Sequence, residues 1–265
     1  MTGEALRTRL WDFGRVCFAI GFIGLGTDHF LLGDFVTGRA PAWPAGIPGR
    51  GVWAYGTGIA IIAAGIAVLL HTGARTAALV RVAAFAGAGL VGGWAVLRHL
   101  LVLPQAATLS AAWTQAGKAV VFTTGCLMVA AVCSPGPLQR DRAFVTAGRM
   151  ALAGYLVLTG IQHFLFVSFV AGLIPTWFPG DATFWTYAAG VALIVFGLGL
   201  ALPRTAFASG SLAGLMVFSW FFIVHVTAEF AGRADHIAVY EALAVAGLLW
   251  VAAASAATGP TADVY

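Results

Sequence analysis

The sequence predicts an all-α integral membrane protein of eight transmembrane helices, built as two four-helix repeats that insert in the same orientation. Three observations carry that prediction. Of the 265 residues, 60% are hydrophobic and 9% charged, with a mean hydropathy of +0.92, well outside the ~45–50% apolar usage of soluble domains. The apolar residues fall in runs of about 20, the length that crosses a ~30 Å hydrocarbon core at ~1.5 Å per residue. The runs then recur in two similar sets of four.

Taken in order, the runs place spans 1 to 4 at 13–32, 54–71, 78–101 and 115–133, and spans 5 to 8 at 150–170, 184–202, 207–229 and 237–256. They are continuous rather than alternating, which argues against barrel strands. Backbone groups in lipid must bond within the span, which leaves helices. Positive residues precede span 1 as in a signal peptide. No small-residue cleavage site follows, however, and the histidine segment continues the apolar pattern, so the run reads as a span. Between the sets, "SPGPLQRDRAFVTAGR" at 134–149 has the Pro, Gly and charge density of a linker. The predicted units are therefore 1–133 and 150–265.

Orientation follows from the basic residues. Arg7, Arg9, Arg15, Arg75, Arg81, Arg140, Arg142, Arg149 and Arg204 fall on one side, and Arg39, Arg50, Arg98, Lys118 and Arg233 toward the other. The larger group marks the cytoplasmic face, so both termini are expected there, in the cell membrane. The net charge of +4 reflects this topology; no basic run with interleaved aromatics suggests nucleic acid.

The repeat is explicit. "GTDHFLLGDF" at 26–35 is answered by "GIQHFLFVSF" at 160–169, and Pro41 and Trp43 follow His29 at the spacing at which Pro175 and Trp177 follow His163. "WAYGTGIAIIAAGIAVLL" at 53–70 pairs with "WTYAAGVALIVFGLGLAL" at 185–202. Trp94 precedes His99 as Trp220 precedes His225. Four spans per unit is an even number, so the halves are expected to be related by a pseudo-twofold axis along the membrane normal.

These features resemble the DoxX and DoxX-like family of four-helix membrane proteins. The resemblance rests on the "GxxHF" start, the Pro-x-Trp loop, the aromatic-Tyr-x-x-Gly opening of the second helix and "WTQAGKAVVFTTGCLMVAA" at 113–131, in which Trp113, Ala116 and Lys118 match a closing pattern. The chain looks like two such domains fused. Its second half departs at "YEALAVAG", 240–247, where Glu241 stands near the place of the lysine. Some members of the family are similar to subunits of thiosulfate:quinone oxidoreductase, so the resemblance implies an association with membrane redox chemistry.

The candidate site residues are the ionisable and aromatic groups near the outer ends of the spans. His29, His99, His163 and His225 share one depth, and Tyr55, Tyr187, Lys118, Glu229 and Glu241 lie on the same side, as do Asp28, Asp34 and Tyr240. An ionisable group in a span costs ~2.5–3.5 kcal/mol on insertion scales, so it usually faces a cavity or a partner. A histidine near a helix end also serves packing alone, and duplication reduces four histidines to two independent facts. His225 and Glu229 are four positions apart, on one helical face, where the carboxylate can orient the ring. Lys118 and Glu241 are expected to pair across the axis, or the lysine to snorkel. The Trp43 and Trp177 loops suggest interfacial anchors or a lid.

Three classes of function remain. A redox subunit would ligate haem b with facing histidines, or hold a quinone headgroup near the outer leaflet beside a membrane redox partner protein. An assembly partner of a membrane enzyme would have no turnover. A small-solute transporter ranks last, since all ten prolines lie in loops or at span ends. No H-E-x-x-H, nucleotide loop or C-x-x-C motif occurs, and Cys17, Cys126 and Cys133 read as buried hydrophobes. The expected centre is the His163/His225 pair of the second half, with Glu229, Tyr187 and Glu241 around it.

Overall fold

The computed structural model describes residues 3–36, 43–133, 139–232 and 236–256. Among these it is all helical. Eight helices are long and apolar enough to cross a membrane: Gly3–Leu31, Arg50–Leu69, Ala74–Gln105, Ala111–Val132, Asp141–Leu165, Ala182–Ala201, Ala206–Phe230 and His236–Ala254. They are spans 1 to 8 in that order. The protein therefore has the build of a multi-pass membrane protein suited to a lipid bilayer.

Most ends agree with the sequence to within a few residues, and two differences are informative. Span 1 begins about three turns early, at Gly3, because its first turns are polar and extend the helix beyond its apolar run. The fifth helix starts at Gln139 and stops at Leu165, where Phe166 leaves helical geometry (φ −122°, ψ 42°), and a short helix Val167–Leu173 follows. The segment read as a linker is thus helical from Gln139; its residues 134–138, like Pro41, Arg39 and Arg233, lie outside the described residues.

Neighbours in sequence are neighbours in space. Spans 1 to 8 pack in order, and the circuit closes where span 1 lies against span 8, while span 4 lies against span 5. Span 8 also touches spans 4 and 5, and every residue from Leu243 to Ala253 is buried. A helix that is apolar all round belongs at such a centre. Small residues allow the approach. A Cβ added to Gly14 would lie 2.7 Å from the Gly247 carbonyl, and one added to Gly21 2.6 Å from the Tyr240 carbonyl. Without hydrophobic drive between helices in lipid, such close backbone packing holds them together.

The first and last described residues, Gly3 and Ala256, lie at one end of the bundle. There Arg7 Nη1 donates to the carbonyls of Ala256 (2.7 Å), Ala254 (3.3 Å) and Ala253 (3.4 Å) at the end of span 8. Arg15 Nη1 does the same for Val68 (2.7 Å) and Leu69 (3.0 Å) at the end of span 2. Each cation satisfies helix-terminal carbonyls that have no intrahelical donor. The four repeated histidines belong to the opposite end.

Spans 1 and 2 and spans 5 and 6 make several similar contacts. A Cβ on Gly26 would meet Ile62 Cγ1 at 2.7 Å and the Gly58 carbonyl at 2.8 Å; one on Gly160 would meet Ile194 Cγ1 at 2.7 Å and the Gly190 carbonyl at 2.9 Å. Tyr55 stacks on Phe30 (centroids 5.3 Å apart) as Tyr187 lies on Phe164 (5.5 Å).

Candidate functional site

At the histidine end, spans 1 to 4 enclose a cavity of about 110 Å³, and Glu241 of span 8 reaches its wall. Regular helical spacing supplies most of the lining. Phe22, Leu25 and His29 lie on one face of span 1, Thr57 and Ile61 on one of span 2, and Gln115, Lys118, Ala119 and Phe122 on one of span 4. Span 3 contributes Leu90, Val91, Arg98 and His99, on either side of a π-helical turn at Val91–Val96. Such turns re-aim the residues that follow and are frequent at functional sites.

His29 is 6% exposed, and its Nδ1 lies 2.9 Å from the Leu25 carbonyl. A carbonyl only accepts, so Nδ1 carries the proton and Nε2 is the ring's acceptor when neutral. His163 repeats this with the Thr159 carbonyl at 2.7 Å. His99 is 4% exposed and shares the cavity with His29. Lys118 Nζ donates to Glu241 Oε2 at 2.5 Å. The pair joins the halves, and each charge offsets the other's dehydration.

The mouth is covered by the chain that leaves span 1. Gly33 adopts a left-handed φ of 65°, open to glycine at no steric cost, and so turns Asp34, Phe35 and Val36 back onto the bundle. Phe35 and Val36 are buried in the cavity wall. Asp34 Oδ1 fixes the turn by accepting from the Phe35 amide and from Arg50 Nε, each at 2.7 Å. Trp43 stacks on Phe35 (5.4 Å, 14°), and the Arg98 guanidinium lies 6.0 Å and 5.9 Å from the two ring centroids, within cation–π range.

Of the residues expected at a site, the cavity thus brings together His29, His99, Lys118 and Glu241. It does not gather the others. Tyr55 and Tyr187 are outward, about two-fifths exposed. Tyr55 precedes Thr57, which does line the cavity, by two positions, about 200° around a helix. Glu229 is exposed. The His163 ring stacks on Trp220 (6.0 Å, 24°), and His225 falls inside a π-helical turn, Phe221–Val226. Asp28, fully buried, has its Oδ1 3.1 Å from His236 Nε2 at the start of span 8. Its counterpart Gln162 accepts from Thr114 Oγ1 (2.7 Å) and donates to the carbonyls of Leu109 (2.8 Å) and Ser110 (3.1 Å).

Sequence reasoning missed Arg98, Phe35, Thr57 and Gln115. The available signal for Arg98 was its place beside His99 within a span, where a permanent cation is costly. Among the described residues no group of three or more His, Cys, Asp or Glu side chains is arranged to hold a metal ion.

Residues 152–255 match the profile of a family described as Domain of unknown function (DUF8561). No curated protein and no solved structure matches the chain.

Proposed function

We propose that the protein is a redox-associated membrane subunit whose first four-helix unit holds the ring of a quinone-type headgroup near the outer leaflet. The observation that carries this reading is the cavity itself: apolar walls suited to a ring, with His29 and His99 contributed by different helices and the Lys118–Glu241 pair beside them. Its volume favours a single ring over haem b. An apolar cavity of ~150 Å³ accepts benzene, whereas pockets for larger ligands measure on the order of 300–1,000 Å³. The DoxX resemblance points to the same chemistry, with a membrane redox partner as electron source.

The tandem arrangement is part of the proposal. The duplicated glycine contacts of spans 1–2 and 5–6, and a family match confined to the second half, support two units related by an axis along the membrane normal. The charge distribution supports cytoplasmic termini. Reporter fusions after residues 140 and 260 should then report cytoplasm, and those near 45 and 180 the outer side.

Ring binding is tested by titrating the purified protein with duroquinone and following tryptophan fluorescence. Saturable quenching is expected for wild type and for His163→Ala. His29→Ala and His99→Ala should each weaken it by an order of magnitude or more, the scale of one lost buried polar contact. Absence of saturable quenching in wild type, or its loss in His163→Ala alone, would refute the assignment and favour the assembly-partner reading. A Soret band in the purified protein would return haem to the site.

A further inference from the structure

We infer that the cavity is entered sideways from the bilayer, through a slot between spans 2 and 3, and that its ligand is a ring whose hydrocarbon tail lies in this slot. This rests on the ring-binding reading and adds to it the route of entry and the class of ligand, a membrane-borne lipid. The outer route is covered, since Phe35 and Val36 are buried in the cavity wall and Trp43 stacks on Phe35. The lateral side is built differently. Span 2 packs on span 1 and on the inner part of span 3, Ala74–Leu90, and on no other described helix to more than a marginal extent. From the π-helical turn at Val91–Val96 outward, span 3 stays against span 4 and parts from span 2.

Adjacent glycines report the two sides of that outer part. A Cβ added to Gly92 would lie 2.9 Å from Thr123 Cγ2 of span 4, whereas one added to Gly93 would meet nothing within 4 Å. Leu90 lies three positions before Gly93, on the same side of the helix. It lines the cavity yet is only half-buried, as befits a side chain where a cavity meets its entrance. On span 2, Ile61 lines the cavity and Ala60 beside it is half-buried. Ala60 is about 200° around the helix from Gly58, whose added Cβ would meet the Gly26 carbonyl of span 1 at 2.9 Å. Ile61 follows the start of span 2 at Arg50 by eleven residues, about 16 Å of helix, which puts this level inside the ~30 Å hydrocarbon layer. Ala60, Ile61, Leu90 and Val91 offer no polar side chain there. A tail in such a slot stays among acyl chains before and after binding, so it adds little affinity and is selected by shape.

The test compares duroquinone with its decyl analogue, in which a decyl chain replaces one methyl group, on purified protein in a single detergent. The quantity read is the ratio of the two dissociation constants, because partition of the tail into micelles is common to all variants and cancels between them. Ala60→Phe and Gly93→Phe each place a ring in the slot at a position that does not line the cavity. Each should weaken the decyl analogue about tenfold relative to duroquinone, the scale of an overpacked contact, and leave duroquinone itself close to wild type. Ile59→Phe, on the lipid face of span 2 at 60% exposure, should leave the ratio as it was. An unchanged ratio in both slot variants overturns the inference, and so does an equal loss of both ligands. Should one slot variant not fold, the other decides, together with a measurement on wild type. A decyl analogue carrying a diazirine on its tail should label spans 2 and 3 around Ala60 and Gly93, and excess duroquinone should displace that labelling; displaceable labelling found only elsewhere overturns the slot. Duroquinone separates the two readings: if it binds wild type while the slot variants leave the ratio unchanged, only the route of entry fails, and if neither ligand binds, the ring site itself fails.

Discussion

The two halves share a frame and differ in what hangs on it. In spans 1 and 2, as in spans 5 and 6, the same glycines bring the backbones together and the same histidine bonds the carbonyl four residues back. The divergence begins just past those histidines. Gly33 of "HFLLGDF" corresponds to Val167 of "HFLFVSF". With glycine, the chain takes a left-handed turn and Phe35 is buried over the cavity, 7% exposed. With valine, a β-branched residue that resists positive φ, the chain enters the helix Val167–Leu173, and Phe169, the counterpart of Phe35, is 70% exposed. The third helices diverge as well. Gly92, Ala95 and Arg98 in one half stand against Phe218, Phe221 and Val224 in the other. The Phe218 and Phe221 rings stack at 5.9 Å, so aromatic volume is packed where the first half has small residues and a cation. The halves thus match in the contacts of their first helix pair and differ in the side chains of the third helix and of the chain that follows the histidine.

The fourth helices provide the sharpest way to break this comparison. Glu241 stands near the place of Lys118 in the other half, and the two pair with each other. Lys118→Met leaves Glu241, 5% exposed, without its cation, and should destabilise the protein by about 3–5 kcal/mol in detergent unfolding. Lys118→Met with Glu241→Leu should recover most of that, because a buried ion pair and an apolar pair of similar volume are nearly equivalent. A double variant as unstable as the single one would show that an apolar pair does not replace the ion pair at this position.

The next effect concerns the loop. Gly33→Val gives the first half the residue of the second, and the cost is chiefly backbone, since an added Cβ would meet only Tyr55 Oη, at 3.5 Å. An L-residue held in the left-handed region costs about 1–2 kcal/mol. Calorimetry should read a loss of that size together with weaker duroquinone binding, as Phe35 leaves the cavity mouth. Unchanged binding would show that the cover does not shape the site.

Much of this was legible in the sequence and some was not, for physical reasons. Span number and position depend on length and apolarity, which are local, and the repeat identified matching residues without coordinates. The Lys118–Glu241 pair was readable because two opposite charges at matched depths in lipid have few other ways to be satisfied. Which histidines share a cavity was not readable, because it depends on which faces the helices turn inward. Helix rotation is reset by the π-turns at Val91–Val96 and Phe221–Val226. An i→i+5 turn shifts later side chains by about one position, ~100° around the axis, and no residue type announces it. Arg98 was visible but was counted only toward topology. The Gly33/Val167 and Gly92/Phe218 contrasts were in plain text, and they become meaningful once the cavity is known to lie in the first half.

The smallest effect lies in the loop between spans 2 and 3, which carries His71, whereas the loop between spans 6 and 7 carries Leu202, Pro203, Arg204 and Thr205. Partial burial, and then the nearby Arg15 guanidinium, hold the His71 ring below the ordinary histidine range, with Asp12 opposing them weakly. The Arg15 that acts on it is the one that caps span 2. The native state therefore binds this proton less readily than the unfolded chain does. The associated stability is fully present above the unfolded histidine pKa of ~6.5 and is lost as pH falls through the lower native value. The ring remains partly exposed, so screening by solvent keeps the effect small. Melting temperatures taken from pH 7.5 down to 5 should decline slightly less for His71→Gln than for wild type, while Arg204→Gln in the opposite loop leaves the slope as it was. Parallel profiles for wild type and His71→Gln would show that the His71 ring makes no contribution to the acid sensitivity of the fold.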